Sequence, residues 1–357
     1  MEFTPDYRHF VDAARNIRPK RLPLYEHVID PGLMGTLLGE TMGLPQDPGP
    51  SDVARYMDQM CRFHKKMTYD IVSWEGGVGY ILPGHGAIFG AKAGPIQSRA
   101  DFNRYPWKDL PRLYWERYTP YFEGLKKTMP SGMKAVGGIG VGVFEISEDL
   151  VGYEWLCLLQ YDDPELFRDI YIKIGDLLVG LWRDLLPRYG DLFCVCRMGD
   201  DLGFKSNTLL APEVIREHVV PKYKRIIETV HAAGKPFLLH SCGKIFGVMD
   251  DIIGAGINAK HSNEDQIAPF DEWIVKYSAK IGLFGGIDVN DLCLKTPEEL
   301  FKQIVEQGSR YRATAKGYAL GSGNSIPNYV PVEGYAAMVD AVKEIRCREN
   351  RSSQPGD

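Results

Sequence analysis

Short apolar runs recur along the chain, each bounded by Gly, Pro or polar residues and separated by longer stretches in which apolar residues return every three or four positions. The short runs predict strands at 22–27 (LPLYEH), 71–75 (IVSWE), 134–139 (KAVGGI) and 192–198 (LFCVCRM). Four more follow at 236–240 (PFLLH), 257–261 (INAKH), 281–286 (IGLFGG) and 318–322 (YALGS). Most are apolar throughout rather than alternating, which suits strands of a parallel sheet covered on both faces.

The longer stretches predict amphipathic helices at 52–67, 163–189, 212–233 and 297–314. Thr296 offers an N-cap before Pro297, Glu298 and Glu299, and Gly234 stops the helix that ends at Ala233. Eight strand-and-helix units in series predict an α/β fold, a single (β/α)8 TIM barrel over 1–347, the count of eight favouring closure over an open doubly wound sheet. An N-terminal extension precedes the barrel. The Gly- and Pro-rich stretches 28–50 and 76–112 are expected as long loops at its C-terminal face, and the polar tail 348–357 as a disordered segment.

Composition narrows the function. The 357 residues are 44% apolar and 25% charged, an ordinary globular balance. With 42 Lys and Arg against 47 Asp and Glu, the net charge of −5 disfavours a nucleic-acid partner, which needs a concentrated basic surface. Seven Cys, an odd number, and no basic-then-apolar leader predict a reducing, cytoplasmic setting. No apolar run approaches the roughly 20 residues of a membrane-spanning helix.

Barrel enzymes carry their chemistry at the C-terminal ends of the strands and in the loops that follow. Applied here, that rule selects Glu26 and His27, Trp74 and Glu75, Asp200 and Asp201, His240 and Cys242, His261 and Glu264, Asp288, and Ser322 with Asn324. His240 and Cys242 stand two apart after an apolar strand, so both side chains are directed to one side, and imidazole with thiolate suits zinc. The plainer alternative makes His240 a backbone-bonded ring and Cys242 a small buried hydrophobe. His261, Glu264, Asp201 and Asn324 are candidate third ligands, with Glu264 taken as the working choice. Asp200 and Asp201 suit substrate binding, acid–base work or helix capping, and Asp288 suits substrate binding or, more simply, capping. Cys194 and Cys196, inside their strand, read as core. The glycine-rich loop 76–94 matches no phosphate-binding motif; its Tyr80, His85 and Phe89 suit a lid over an aromatic ligand, with a solvated His85 as the simpler reading. HExxH, GxSxG, EF-hand and the corrinoid-ligating DxHxxG patterns are absent from the sequence.

The ordered segments RPKRLPLYEH, MGDDLGFKSNTLLAPEVIREHVVPKYKRI, GKPFLLHSCGKI, GLFGGIDVN and GSGNSIPNYVPVEGYAAM resemble the uroporphyrinogen decarboxylase superfamily over roughly 18–345. The resemblance implies a (β/α)8 barrel and two alternative chemistries. The decarboxylases open with arginines that bind substrate carboxylates; here LPLYEHVIDPGL has none after the strand and presents Glu26 and His27, an acidic wall to a polyanion. The other branch comprises cobamide-dependent methyltransferases, whose His-x-Cys pair and later Cys hold zinc. His240 and Cys242 match the pair, but Asn324 stands where the later Cys is expected.

That departure, with aromatics at Tyr25, Trp74, Tyr80, Phe89, Phe204 and Tyr329, resembles members that demethylate methoxylated aromatic compounds. What the resemblance implies is methyl transfer from a small O-methyl aromatic donor to the Co(I) corrinoid of a separate corrinoid protein, with a homodimer as an unsurprising assembly. Its alternatives are tetrapyrrole decarboxylation and methylcobamide:thiol methyl transfer. Asp201, Glu26 and His240 are the expected catalytic groups. His27, Trp74, Tyr80, His85, Asp200, Phe204, Asp288 and Asn324 are expected around the substrate, and His240, Cys242 and Glu264 around zinc.

Overall fold

The computed structural model describes residues 3–90, 92–264 and 266–352. Seven strands occur among them: β1 (Ile71–Glu75), β2 (Lys134–Val141), β3 (Phe193–Gly199), β4 (Phe237–His240), β5 (Ala259–His261), β6 (Gly282–Ile287) and β7 (Tyr318–Ser322). Helices separate successive strands, the alternation of a TIM-barrel-like α/β fold. The chain forms two compact units. One comprises Met1–Trp74, Pro120–Val136 and Asn258–Asp357; the other comprises Glu75–Thr119 and Gly137–Ile257.

In the first unit, β6 pairs in parallel with both β5 and β7, from Ala259 opposite Gly282 to Ile287 opposite Ser322. The predicted strand at 22–27 is here an extended segment held to β7 and the chain beyond it by isolated parallel bridges, Leu24 to Leu320 and Ile29 to Ile326. Pro23 explains the interruption: it has no N–H to donate and supplies only its carbonyl, to Leu320 N–H at 3.0 Å. Gly321 admits the segment at close range, since a Cβ there would fall 1.7 Å from the Tyr25 carbonyl oxygen. Phe10, Tyr25 and Phe284 pack their rings 5.0–5.5 Å apart in the core. Tyr25, expected among the mouth aromatics, is thus fully buried.

In the second unit, β3 pairs in parallel with β4, from Cys196 opposite Phe237 to Gly199 opposite His240. Trp182 of the helix Pro164–Tyr189 lies against Gly138 of β2, where a Cβ would meet the indole at 2.2 Å. Asp163 caps that helix, accepting Leu166 N–H at 2.9 Å. Cys194 and Cys196 are buried core residues.

The helix Pro297–Thr314 forms with the predicted Thr296–Glu299 capping box. The stretch 212–233 is continuous but contains a π turn at Ile215–Val219. The expected loops carry more helix than their Gly and Pro content indicates: Pro31–Leu38 and Arg99–Arg104 are helical, and Leu110–Thr128 begins inside the second loop. The last helix, Val332–Ser352, takes in the start of the expected disordered tail; residues 353–357 lie outside the described residues. No helix among the described residues is long and apolar enough to cross a membrane.

Candidate active site

The chemistry of the second unit begins where β3 and β4 end side by side. Asp200 N–H donates to the His240 carbonyl at 2.9 Å and Lys244 N–H to the Phe204 carbonyl at 2.8 Å, tying the loop after β3 to the loop after β4. The two backbones touch at Gly203 and Gly243. Gly243 has φ +83°, and a Cβ there would lie 2.0 Å from the Gly203 carbonyl carbon. Glycine is required at Gly243 both for its left-handed conformation and for this approach.

The close approach brings Asp201, His240 and Cys242 together, their ligand atoms all within 4.8 Å of one another. Cys242 Sγ lies 3.4 Å from His240 Nε2, and Asp201 Oδ1 lies 3.9 Å from that nitrogen. Tetrahedral zinc with N, S and O ligands at about 2.0–2.3 Å would separate them by roughly 3.3–3.6 Å, close to the 3.4 and 3.9 Å found from the imidazole to its two neighbours. His240 is buried while Asp201 is 39% exposed, so one side of the group remains accessible. Cys242 N–H also donates to Asp201 Oδ1 at 2.8 Å, orienting the carboxylate. The third group in this cluster is Asp201, one of the alternatives to Glu264 that the sequence offered; Glu264 accepts the Asn324 amide.

Asp200, expected at the substrate, has a different task. Its buried carboxylate accepts Phe144 N–H at 3.0 Å, Glu145 N–H at 2.8 Å and the Tyr223 hydroxyl at 2.6 Å, capping the helix Val143–Val151. Burial pushes its pKa up to about 6 against the downward pull of these hydrogen bonds. The capped helix carries three acids that sequence reasoning missed, Glu145, Glu148 and Asp149. Glu145 accepts the Asp201 backbone N–H, and burial, followed by the charges of Asp201 and Asp200, raises its pKa well above the usual carboxyl range. Burial, then Asp200 and Asp201, pushes Glu148 up to about 8. Their spacing after a glycine-rich strand end was the available signal.

A cavity of about 140 Å³ adjoins these acids. Tyr80, His85 and Phe89 line it, as does Glu145, so the first two expected substrate residues of the loop share a cavity with an acid that also contacts a metal-ligand candidate. Phe204 is 62% exposed on the loop after β3. Arg197 is buried in β3 and forms an ion pair with Glu75 at 2.8 Å.

The remaining candidates lie in the first unit. Glu26 is fully buried and accepts Ser322 N–H at 2.7 Å and the Ser322 hydroxyl; burial pushes its pKa up to about 8. His27 lies with its ring centre 6.3 Å from that of His261, which bonds through Nε2 to the Ser322 carbonyl. Trp74 stacks on Tyr121 at 5.7 Å and meets Phe122 edge-on. Asp288 is an N-cap, accepting Asn290 N–H at 2.9 Å, so its carboxylate is engaged in helix capping. Asn324 holds Glu264, and Tyr329 is 70% exposed.

Comparison with known proteins agrees with this architecture. A methyltransferase from Methanosarcina mazei superposes with a TM-score of 0.67 at 14% identity, over 94% of this chain and 97% of its own; that likeness shows the fold. PbGH5A, a glycoside hydrolase family 5 enzyme from Prevotella bryantii B14, is more distant, with a TM-score of 0.43 at 10% identity over 93% of this chain and 97% of its own. No curated protein matches the sequence significantly. The profile of the family described as uroporphyrinogen decarboxylase (URO-D) matches residues 84–345, most of the chain. The chain belongs to the uroporphyrinogen decarboxylase family.

Proposed function

We propose that the protein is a methyltransferase that moves a methyl group from a small O-methyl aromatic donor to the Co(I) corrinoid of a separate corrinoid protein. The observation that carries this reading is the Asp201, His240 and Cys242 cluster, connected through Glu145 to a cavity with aromatic walls. The likeness to the Methanosarcina mazei methyltransferase supports it. In the reaction, Co(I) attacks the methyl carbon, the carbon–oxygen bond breaks with its electron pair left on oxygen, and a proton completes the phenol.

An aryl ether needs help at its oxygen, because a phenolate leaves poorly. Zinc held by Asp201, His240 and Cys242 would supply Lewis-acid stabilisation there. Glu145, lining the cavity with its carboxyl biased to the protonated form, is placed to give the proton. Tyr80 and Phe89 offer ring faces to the donor, and the Cys242 N–H holds Asp201 in orientation. The cytoplasm is the proposed setting, and a homodimer the proposed assembly.

The test is to mix the protein with reduced corrinoid protein and a methoxyphenol. The Co(I) absorption should convert to that of methyl-Co(III) with release of one phenol per cobalt. No conversion with a wide panel of O-, N- and S-methyl donors would reject the reading. Family membership favours decarboxylation as the second reading. Release of carbon dioxide from an aromatic or tetrapyrrole acid, without corrinoid, would establish it.

A further inference from the structure

The cavity beside Glu145 is lined by apolar, aromatic and acidic side chains. Its volume, about 140 Å³, is close to that of a protein cavity known to hold one benzene ring, roughly 150 Å³. Ile88, Val141 and Ile146 give it apolar walls, Tyr80 and Phe89 add aromatic faces, and Tyr80 and Phe89 are 58% and 80% exposed on the open side. Two carboxyl groups, Glu145 and Asp149, face the same space. Asp149 is buried and fixed there, its Oδ1 accepting Gly86 N–H at 2.5 Å and Ile88 N–H at 3.4 Å.

No Lys or Arg is among the described lining residues, and His85 is the basic side chain present. Lys92 is exposed, is not among the lining residues, and has its Nζ 3.3 Å from where a Cβ on Gly86 would lie. A zinc ion held by one carboxylate, one thiolate and a neutral imidazole would carry no net charge with its ligands, and so would not offset the Asp149 carboxylate that lines the cavity. A carboxylate brought into this cavity would therefore lose its water without gaining a Lys or Arg partner among the lining residues.

We propose that this cavity seats the ring of the methyl donor and selects uncharged single-ring methyl ethers, such as methoxyphenols, over the same ring bearing a carboxylate. The inference rests on the methyl-transfer reading for its ligand class, while its test is a binding measurement.

Titration calorimetry of the full chain, loaded with zinc, compares 3-methoxyphenol with 3-methoxybenzoate. The phenol should bind at least tenfold more tightly. Asp149→Asn, which keeps an acceptor for the two N–H groups, should narrow that ratio severalfold. Equal or tighter binding of the benzoate, binding of neither ring, or a ratio unchanged in folded Asp149→Asn would overturn the proposal. The wild-type comparison stands if that variant does not fold. Selective binding without methyl transfer to the corrinoid protein would count against the methyl-transfer reading and leave the cavity's selectivity in place.

Discussion

Asp201 and Cys242 are joined by a hydrogen bond of 2.8 Å from the Cys242 backbone N–H to Asp201 Oδ1, the same oxygen that lies 3.9 Å from His240 Nε2. A carboxylate from the loop after β3 and a thiol from the loop after β4 are thus set against one imidazole by main-chain geometry. Asp201→Asn preserves the acceptor and removes the charge. It should leave folding intact while weakening zinc binding at least tenfold, measured by competition with a chromogenic chelator. Cys242→Ala should abolish stoichiometric zinc, and retention of one equivalent by that variant would place the metal elsewhere.

Glu145→Gln keeps an oxygen for the Asp201 N–H but has no acidic proton. Methyl transfer from a methoxyphenol should fall by about 10²–10⁴-fold, the usual contribution of a general acid, with zinc content unchanged. Rates within threefold of wild type, in single-turnover measurements, would remove Glu145 from that role.

Glu26 makes stability pH-dependent in a defined direction. Its folded pKa of about 8 exceeds the ordinary 4.5, so the folded state binds the extra proton between those values. Its contribution is complete below about 4.5 and is lost as pH rises through about 8. At about 1.4 kcal/mol per pKa unit, the loss is on the order of 5 kcal/mol. Glu26→Gln, which can still bond Ser322, should flatten this part of the urea-unfolding profile and be more stable than wild type at pH 9. Parallel profiles would show that Glu26 is not protonated in the fold.

Tyr223→Phe removes the 2.6 Å donor to buried Asp200 and leaves its two backbone donors in place. Loss of a hydrogen bond to a charged group should cost about 1.5–3 kcal/mol in urea denaturation. A cost below 0.5 kcal/mol would mean that the backbone donors alone satisfy Asp200.

The apolar runs revealed most strands, because burial on both faces leaves a continuous signal such as PFLLH. The segment 22–27 carried the same signal, yet Pro23 and the sparse bonds to β7 reduce it to bridges. His240 and Cys242 were legible because strand alternation alone places them on one side. Asp200 was not. Its partners at Phe144 and Glu145 lie 56 and 55 residues away in sequence, and a capping carboxylate at that separation leaves no local pattern. Glu145, Glu148 and Asp149 follow a glycine-rich strand end, but their spacing does not show that Glu148 and Asp149 are buried. Choosing Asp201 over Glu264 as the third member of the cluster required the contact between Gly203 and Gly243, which spacing cannot express.

In the proposed reaction, methyl transfer depends on a metal held by Asp201, His240 and Cys242. The most direct measurement strips the protein with a chelator, restores zinc in steps, and follows the initial rate of Co(I) loss with a methoxyphenol and reduced corrinoid protein. The rate should rise in proportion to zinc and level off at one equivalent per chain, with no recovery in Cys242→Ala. A stripped protein that transfers methyl groups at the full rate would contradict it.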